Sequence, residues 1–219
     1  FGLTHKQAAS QVRNVAGPKL QDSASPLSAQ DLELLSRLRD ELIEEDWRDA
    51  EHGLYPTDLL FDAPWLEWAM LYPRLWMDLP SIWNRRSQRI VRDLPSGVEA
   101  GVYPNYYLQN FHDQTDGYLS DLSAGLYDLQ VEILFNGAAD AMRRRILKPI
   151  MDGLRAFSDR PASTLRVLDV ATGTGRTLIQ LRGALPGAQL VGLDLSSAYL
   201  RQANRWLAPR AGELPQLLQ

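Results

Sequence analysis

The residues best suited to chemistry lie late in the chain, in VLDVATGTGRTL at 167–178. An apolar run ends in Asp169, Gly173 and Gly175 follow with Thr174 between them, and a helix-like segment opens at Arg176. Glycines in a turn after a strand let backbone come close to a ligand, because no Cβ stands in the way. Asp194, followed by Leu195, lies 19 residues beyond Gly175, at the end of a second apolar run, AQLVGLDL. Three kinds of ligand site use a strand, a glycine turn and a helix. A phosphate-binding loop needs GxxxxGK[ST], so that a lysine reaches the phosphates. Here Arg176 precedes Thr177, and Val170 stands where the first glycine would be. A dinucleotide site needs GxGxxG, so that the helix packs tightly above a pyrophosphate. Gly173 and Gly175 fit that pattern, but Leu178 takes the third place.

The third kind fits best. DVATGTG, 169–175, resembles the first motif of class I S-adenosylmethionine-dependent methyltransferases, D/E-x-G-x-G-x-G, with Ala171 in place of the first glycine. The resemblance implies S-adenosylmethionine as cofactor, bound over the turn formed by Ala171, Gly173, Thr174 and Gly175. It places Asp169 near the cationic end of the cofactor, and Asp194, beside Leu195, on both ribose hydroxyls as a bidentate acceptor. A wider resemblance, over roughly residues 30–219, is to a group of cyanobacterial and plant-plastid methyltransferases loosely related to the quinone-biosynthesis type. It implies a plastid setting, or the cytoplasm of a cyanobacterium. It also implies that Tyr127, in SAGLYD, flanks the cofactor; plain core packing is the other role open to that ring.

The elements that must position these residues change character along the chain. Residues 1–28 are rich in small residues and read as an extended arm or linker with room for one short helix. Ser28 and Asp31 open a helix, continued by Leu32, Leu35, Leu38, Leu42 and Ile43 and stopped by Gly53 and Pro56. Residues 57–100 read as short helices separated by Pro64, Pro73, Pro80 and Pro95. A polar-aromatic loop, from YPNYYLQNFHD at 103, leads to a helix from Ser123 to the Asn136-Gly137 stop. Another helix follows, kinked at Pro149. From 165 the pattern becomes strand, helix, strand, helix, with parallel strands at 165–171 and 189–194. The fold class is therefore α/β: a helical region, 29–158, followed by the first half of a Rossmann-like domain, 159–219. A complete fold of the resembled class has seven strands, of which two are legible. A fragment of that kind is expected to methylate poorly unless the chain continues or a partner covers it.

Composition narrows the alternatives. At 45% hydrophobic residues, the 219-residue chain can bury a sizeable core. A net charge of −4 gives no field that favours nucleic acid. The chain has no cysteine, which excludes disulfides and thiolate metal sites, and His5, His52 and His112 are scattered without ligand spacing. No stretch reaches about 18 uncharged apolar residues. The nearest, WLEWAMLYPRLWMDL at 65–79, contains Glu67, Pro73, Arg74 and Asp78. It reads as a helical core packed through Trp65, Trp68, Trp76 and Trp83, or else as a surface that touches a membrane. Two functions stay open: methyl transfer to a small hydrophobic acceptor, and a methyltransferase-like domain serving as a structural or assembly subunit of a larger plastid complex. If the acceptor must lose a proton, His112, Tyr106 and Tyr107 are the candidate bases.

Overall fold

The computed structural model describes residues 2–17 and 28–219. Eight α-helices and three parallel strands follow one another among these residues. The first helix, α1 (Gly2–Ala16), falls in the expected arm and, at 15 residues, is longer than the one short helix expected there. Its His5 packs edge-on against Tyr72 and Trp76, and its Lys6 donates to the carbonyl of Leu134 (2.8 Å). Residues 18–27 of the expected arm lie outside the described residues.

Helix α2 (Ala29–Glu51) starts at the reciprocal cap expected from Ser28 and Asp31: each side chain accepts from the other's backbone N–H. Helix α3 (Trp65–Gln88) differs from expectation. It runs unbroken through Pro73 and Pro80. Both prolines are on its exposed side, where water can satisfy the carbonyls that they leave unbonded. The tryptophans do not cluster in a core. Trp68 is buried, Trp76 and Trp83 are half-buried, and Trp65 and Trp47 are exposed. Trp68 and Leu75 face Leu126, Leu129 and Ile133, whereas Trp65, the first residue of the helix, packs edge-on against Trp68 at 5.2 Å and has its outer side in solvent.

Helix α4 (Asp121–Leu134) is enclosed on several sides. Leu126, Leu129 and Ile133 face α3, while Ala124 and Tyr127 face the last helix of the chain. The expected kink at Pro149 is a full break, between α5 (Ala139–Arg144) and α6 (Leu147–Leu154). Proline's ring excludes a helical carbonyl four residues back, at Arg145, which is where the helix divides.

Strand β1 (Arg166–Val170), helix α7 (Arg176–Ala184), strand β2 (Gln189–Leu193) and helix α8 (Ser197–Leu207) appear where the sequence placed them. The two strands pair in parallel, Asp169 opposite Gly192. A third strand, β3 (Gln216–Leu218), pairs in parallel with the other side of β2 and gives the order β1-β2-β3, one strand more than expected. The result is a helical N-terminal region joined to a small Rossmann-like α/β unit. The two share one core: Ala50, Tyr55 and Leu59 pack with Leu178, Ile179, Leu181, Leu190, Ala203 and Leu207. One sheet face is covered by this core. The other carries Leu168 and Val170, 59% and 65% exposed, in line with Val191, Leu193 and Leu218.

Candidate functional site

The strand order puts the C-terminal ends of β1 and β2 side by side, the usual rim for ligands in an open parallel sheet. The turn after β1 is held by its own backbone: Thr172 N–H donates to Leu193 O, and Gly175 N–H donates to Thr172 O, both at 3.0 Å. Ala171, Gly173 and Gly175 have φ of 62°, 56° and 76°, all left-handed. That conformation costs a residue with a Cβ about 1–2 kcal/mol. Ala171 is the residue that bears this cost. Replacing Ala171 with glycine should therefore stabilise the protein by about 1 kcal/mol, less a few tenths for the freer unfolded chain. A higher thermal unfolding midpoint is the expected reading; an unchanged or lower midpoint would show that Ala171 is not strained.

The two glycines serve different neighbours. A Cβ at Gly173 would find its nearest contact, Tyr199 Cδ1, at 4.0 Å, so the space beside it is open. A Cβ at Gly175 would lie 2.9 Å from Ala203 Cβ. Gly175 is thus a packing residue between α7 and α8, and Gly173 is the one that fronts free space.

Both carboxylates expected at the site are at the rim. Asp169 accepts from Thr172 Oγ1 at 2.7 Å. Burial raises its pKa; the Thr172 bond opposes that, and the charge of Asp194 adds to it. Asp194 reaches back over the turn. Its Oδ2 accepts from Gly173 N–H at 2.8 Å, and its Oδ1 accepts from Ser196 N–H at 2.8 Å and from Tyr107 Oη at 3.4 Å. A carboxylate at the end of β2 is thereby locked onto the glycine turn at the end of β1.

Below the turn, polar groups anchor it to the helices. Thr174, expected at the cofactor, points inward instead, and its Oγ1 donates to the buried Asp128 at 2.9 Å. Burial raises the Asp128 carboxyl, against the pull of Arg143 and Arg176. Arg176, the first residue of α7, pairs with Asp140 of α5. Burial works against the charge of Asp140, but Arg176 and Arg143 outweigh it and hold the carboxyl below its ordinary value. Leu195 is at the rim, 36% exposed, and its carbonyl accepts from Gln219.

Above the turn lies an aromatic wall. Tyr127 packs against Tyr118 and Tyr199 at ring separations of 5.9 and 5.4 Å. Phe111 stacks on Tyr118 at 4.8 Å, and Tyr103 stacks on Tyr107 at 5.7 Å. Burial, the charges of Tyr127 and Asp194 following, pushes the Tyr118 phenol up to about 12. Of the candidate bases, only Tyr107 reaches the rim carboxylates; Tyr106 and His112 are exposed. His112 and Asp113 are left-handed, and the buried Arg85 holds this bend by donating to Asp113 O. Sequence reasoning missed Thr172, Ser196, Tyr199 and Asp128. Ser196 carries the one local signal, as the cap of α8, where its Oγ accepts from Tyr199 N–H.

Comparison with known proteins agrees with the motif. A family model described as a methyltransferase domain matches residues 167–214. A ubiquinone/menaquinone biosynthesis C-methyltransferase of Syntrophotalea carbinolica is 44% identical over 52 residues. That match spans 24% of this chain and 22% of the relative, so the chain covers about a fifth of the relative's length. No solved structure matches. Residues 167–214 are thus similar to methyltransferase domains.

Proposed function

We propose that this chain binds S-adenosylmethionine over the turn at 171–175, with the ribose on Asp194, and forms the cofactor half of a methyltransferase for a small, hydrophobic acceptor. The observation that carries the reading is the joint between Asp194 and Gly173 N–H, at adjacent strand ends and beside open space. The residues present suit the cofactor. A carboxylate can accept from both hydroxyls of a diol, a bare glycine leaves room for the ligand, and an aromatic wall offers an apolar face to a planar base.

When bound, the cofactor supplies an electrophilic methyl group on a sulfonium. The chain's own part is alignment and the exclusion of water. Asp194 fixes the ribose, Gly173 sets the depth of approach, and Asp169 places negative charge near the cationic end. Tyr127, Tyr118 and Tyr199 form a dry flank. The likeness to a methyltransferase is local, and the bare sheet face with Leu168 and Val170 favours a second reading, that of an assembly subunit.

Calorimetric titration with S-adenosylhomocysteine tests both. Asp194→Ala removes charge-assisted bonds worth about 1.5–3 kcal/mol each, so binding should weaken roughly ten- to a hundredfold or more. Gly173→Val should abolish binding, because its side chain fills the open space. Folded wild-type protein that gives no heat at high ligand concentration would leave the assembly reading. Binding that Asp194→Ala leaves unchanged would mean that the ribose lies elsewhere.

A further inference from the structure

We infer that Tyr107 stands in for the ribose on Asp194 in the ligand-free protein and gives up its place when the cofactor binds. The inference rests on the reading of Asp194 as the ribose acceptor. Its physical content is the hydrogen-bonding capacity of one carboxylate. The two oxygens of a carboxylate offer about four acceptor positions. Three of those on Asp194 are taken: by Gly173 N–H on Oδ2, and by Ser196 N–H and Tyr107 Oη on Oδ1. One remains, and a vicinal diol needs two.

The two backbone donors are not free to leave. Gly173 N–H belongs to the turn fixed by Thr172 and Leu193, and Ser196 N–H belongs to the capped start of α8. Tyr107 is the exchangeable donor. Its contact, at 3.4 Å, is the longest of the three, and it comes from a loop 87 residues away in sequence. The phenol remains a donor: burial, then the charge of Asp194 and its hydrogen bond, push its pKa above the ordinary value.

The loop that carries Tyr107 is anchored independently of the hydroxyl contact to Asp194: Asn110 N–H donates to Val91 O at 2.9 Å, and Arg85 donates to Asp113 O. Its far end is latched to the rim: Tyr118 O accepts from Ser196 Oγ at 2.5 Å, and Gln114 and Ser123 both reach Tyr199 Oη. Its near end is held by stacking of Tyr107 on Tyr103, an edge contact to Phe111 and a tilted contact to Tyr118. Among the described residues, Asp194 is the hydrogen-bond partner of the Tyr107 hydroxyl. Losing that hydroxyl therefore alters the competition for Asp194 and leaves the ring packing in place.

Tyr107→Phe is the test, read by calorimetry with S-adenosylhomocysteine and with its 2′,3′-dideoxy analogue. The variant should bind S-adenosylhomocysteine about three- to tenfold more tightly than wild type, because the free state no longer holds the site closed. The gain should vanish for the dideoxy analogue, which does not need the contested position. Weaker or equal binding of S-adenosylhomocysteine by the variant would overturn the inference while leaving the ribose site intact. An equal gain for both ligands would overturn it too, since a general loosening of the loop would explain that result. If neither protein binds S-adenosylhomocysteine, the cofactor reading fails and the inference falls with it.

Discussion

Arg144→Ala should destabilise the protein by about 3–5 kcal/mol, a large share of a typical domain's stability. Arg144 is buried, and it forks onto Asp46 of α2: Nε lies 2.9 Å from Oδ1, and Nη2 lies 2.6 Å from Oδ2. Its Nη1 donates to Leu59 O at 2.9 Å. Asp46 is itself buried and takes a further bond from Tyr55 Oη at 2.6 Å. Removing the guanidinium would leave a carboxylate in the interior with one phenol for company, which costs far more than the pair contributes. Urea unfolding should show the loss as a lower midpoint with little change in slope. Arg144→Met combined with Asp46→Leu should recover much of it, because an apolar pair of similar volume leaves no orphan charge. A single variant as stable as wild type would show that water reaches Asp46.

Gly175→Val should have the next largest effect, about 2–5 kcal/mol, through two separate causes. The left-handed φ of 76° costs a residue with a Cβ about 1–2 kcal/mol, and overpacking against Ala203 about 1–3 kcal/mol. Gly173→Val shares the first cause and lacks the second, since its Cβ meets nothing nearer than 4.0 Å. The two substitutions, two residues apart in the same motif, should therefore separate. Gly175→Val lowers the unfolding midpoint sharply, whereas Gly173→Val lowers it modestly and abolishes binding of S-adenosylhomocysteine. Equal loss of stability in both would mean that α8 does not pack on the turn as described.

What could be read in the sequence followed from local signals. The apolar run, glycine turn and helix starting at Arg176 located β1, α7 and β2, because a short apolar strand and a glycine turn leave strong compositional marks. The Ser28–Asp31 cap was equally plain. The strand β3 was not, since three residues carry no periodicity. Proline as a helix breaker misled at Pro73 and Pro80, where exposure removes most of the penalty. At the site, Asp194 was legible from its place at a strand end. Tyr107 meets it only through tertiary structure, and no spacing rule foretells that contact. Thr174 shows the converse: it belongs to the motif by position, yet its hydroxyl faces Asp128 and the helices.

Among the described residues, β1 pairs on one side alone, with β2. Its other edge offers amide hydrogens and carbonyls at alternate residues, beside the uncovered side chains of Leu168 and Val170. A strand of either direction could zip onto that edge. Only a parallel one would end at the rim that holds Asp169 and Asp194. A strand added there would satisfy the backbone groups of the β1 edge and bring its own C-terminal residue to the same rim, whereas Leu168 and Val170, which project from the sheet face, would need a layer packed on that face to leave water.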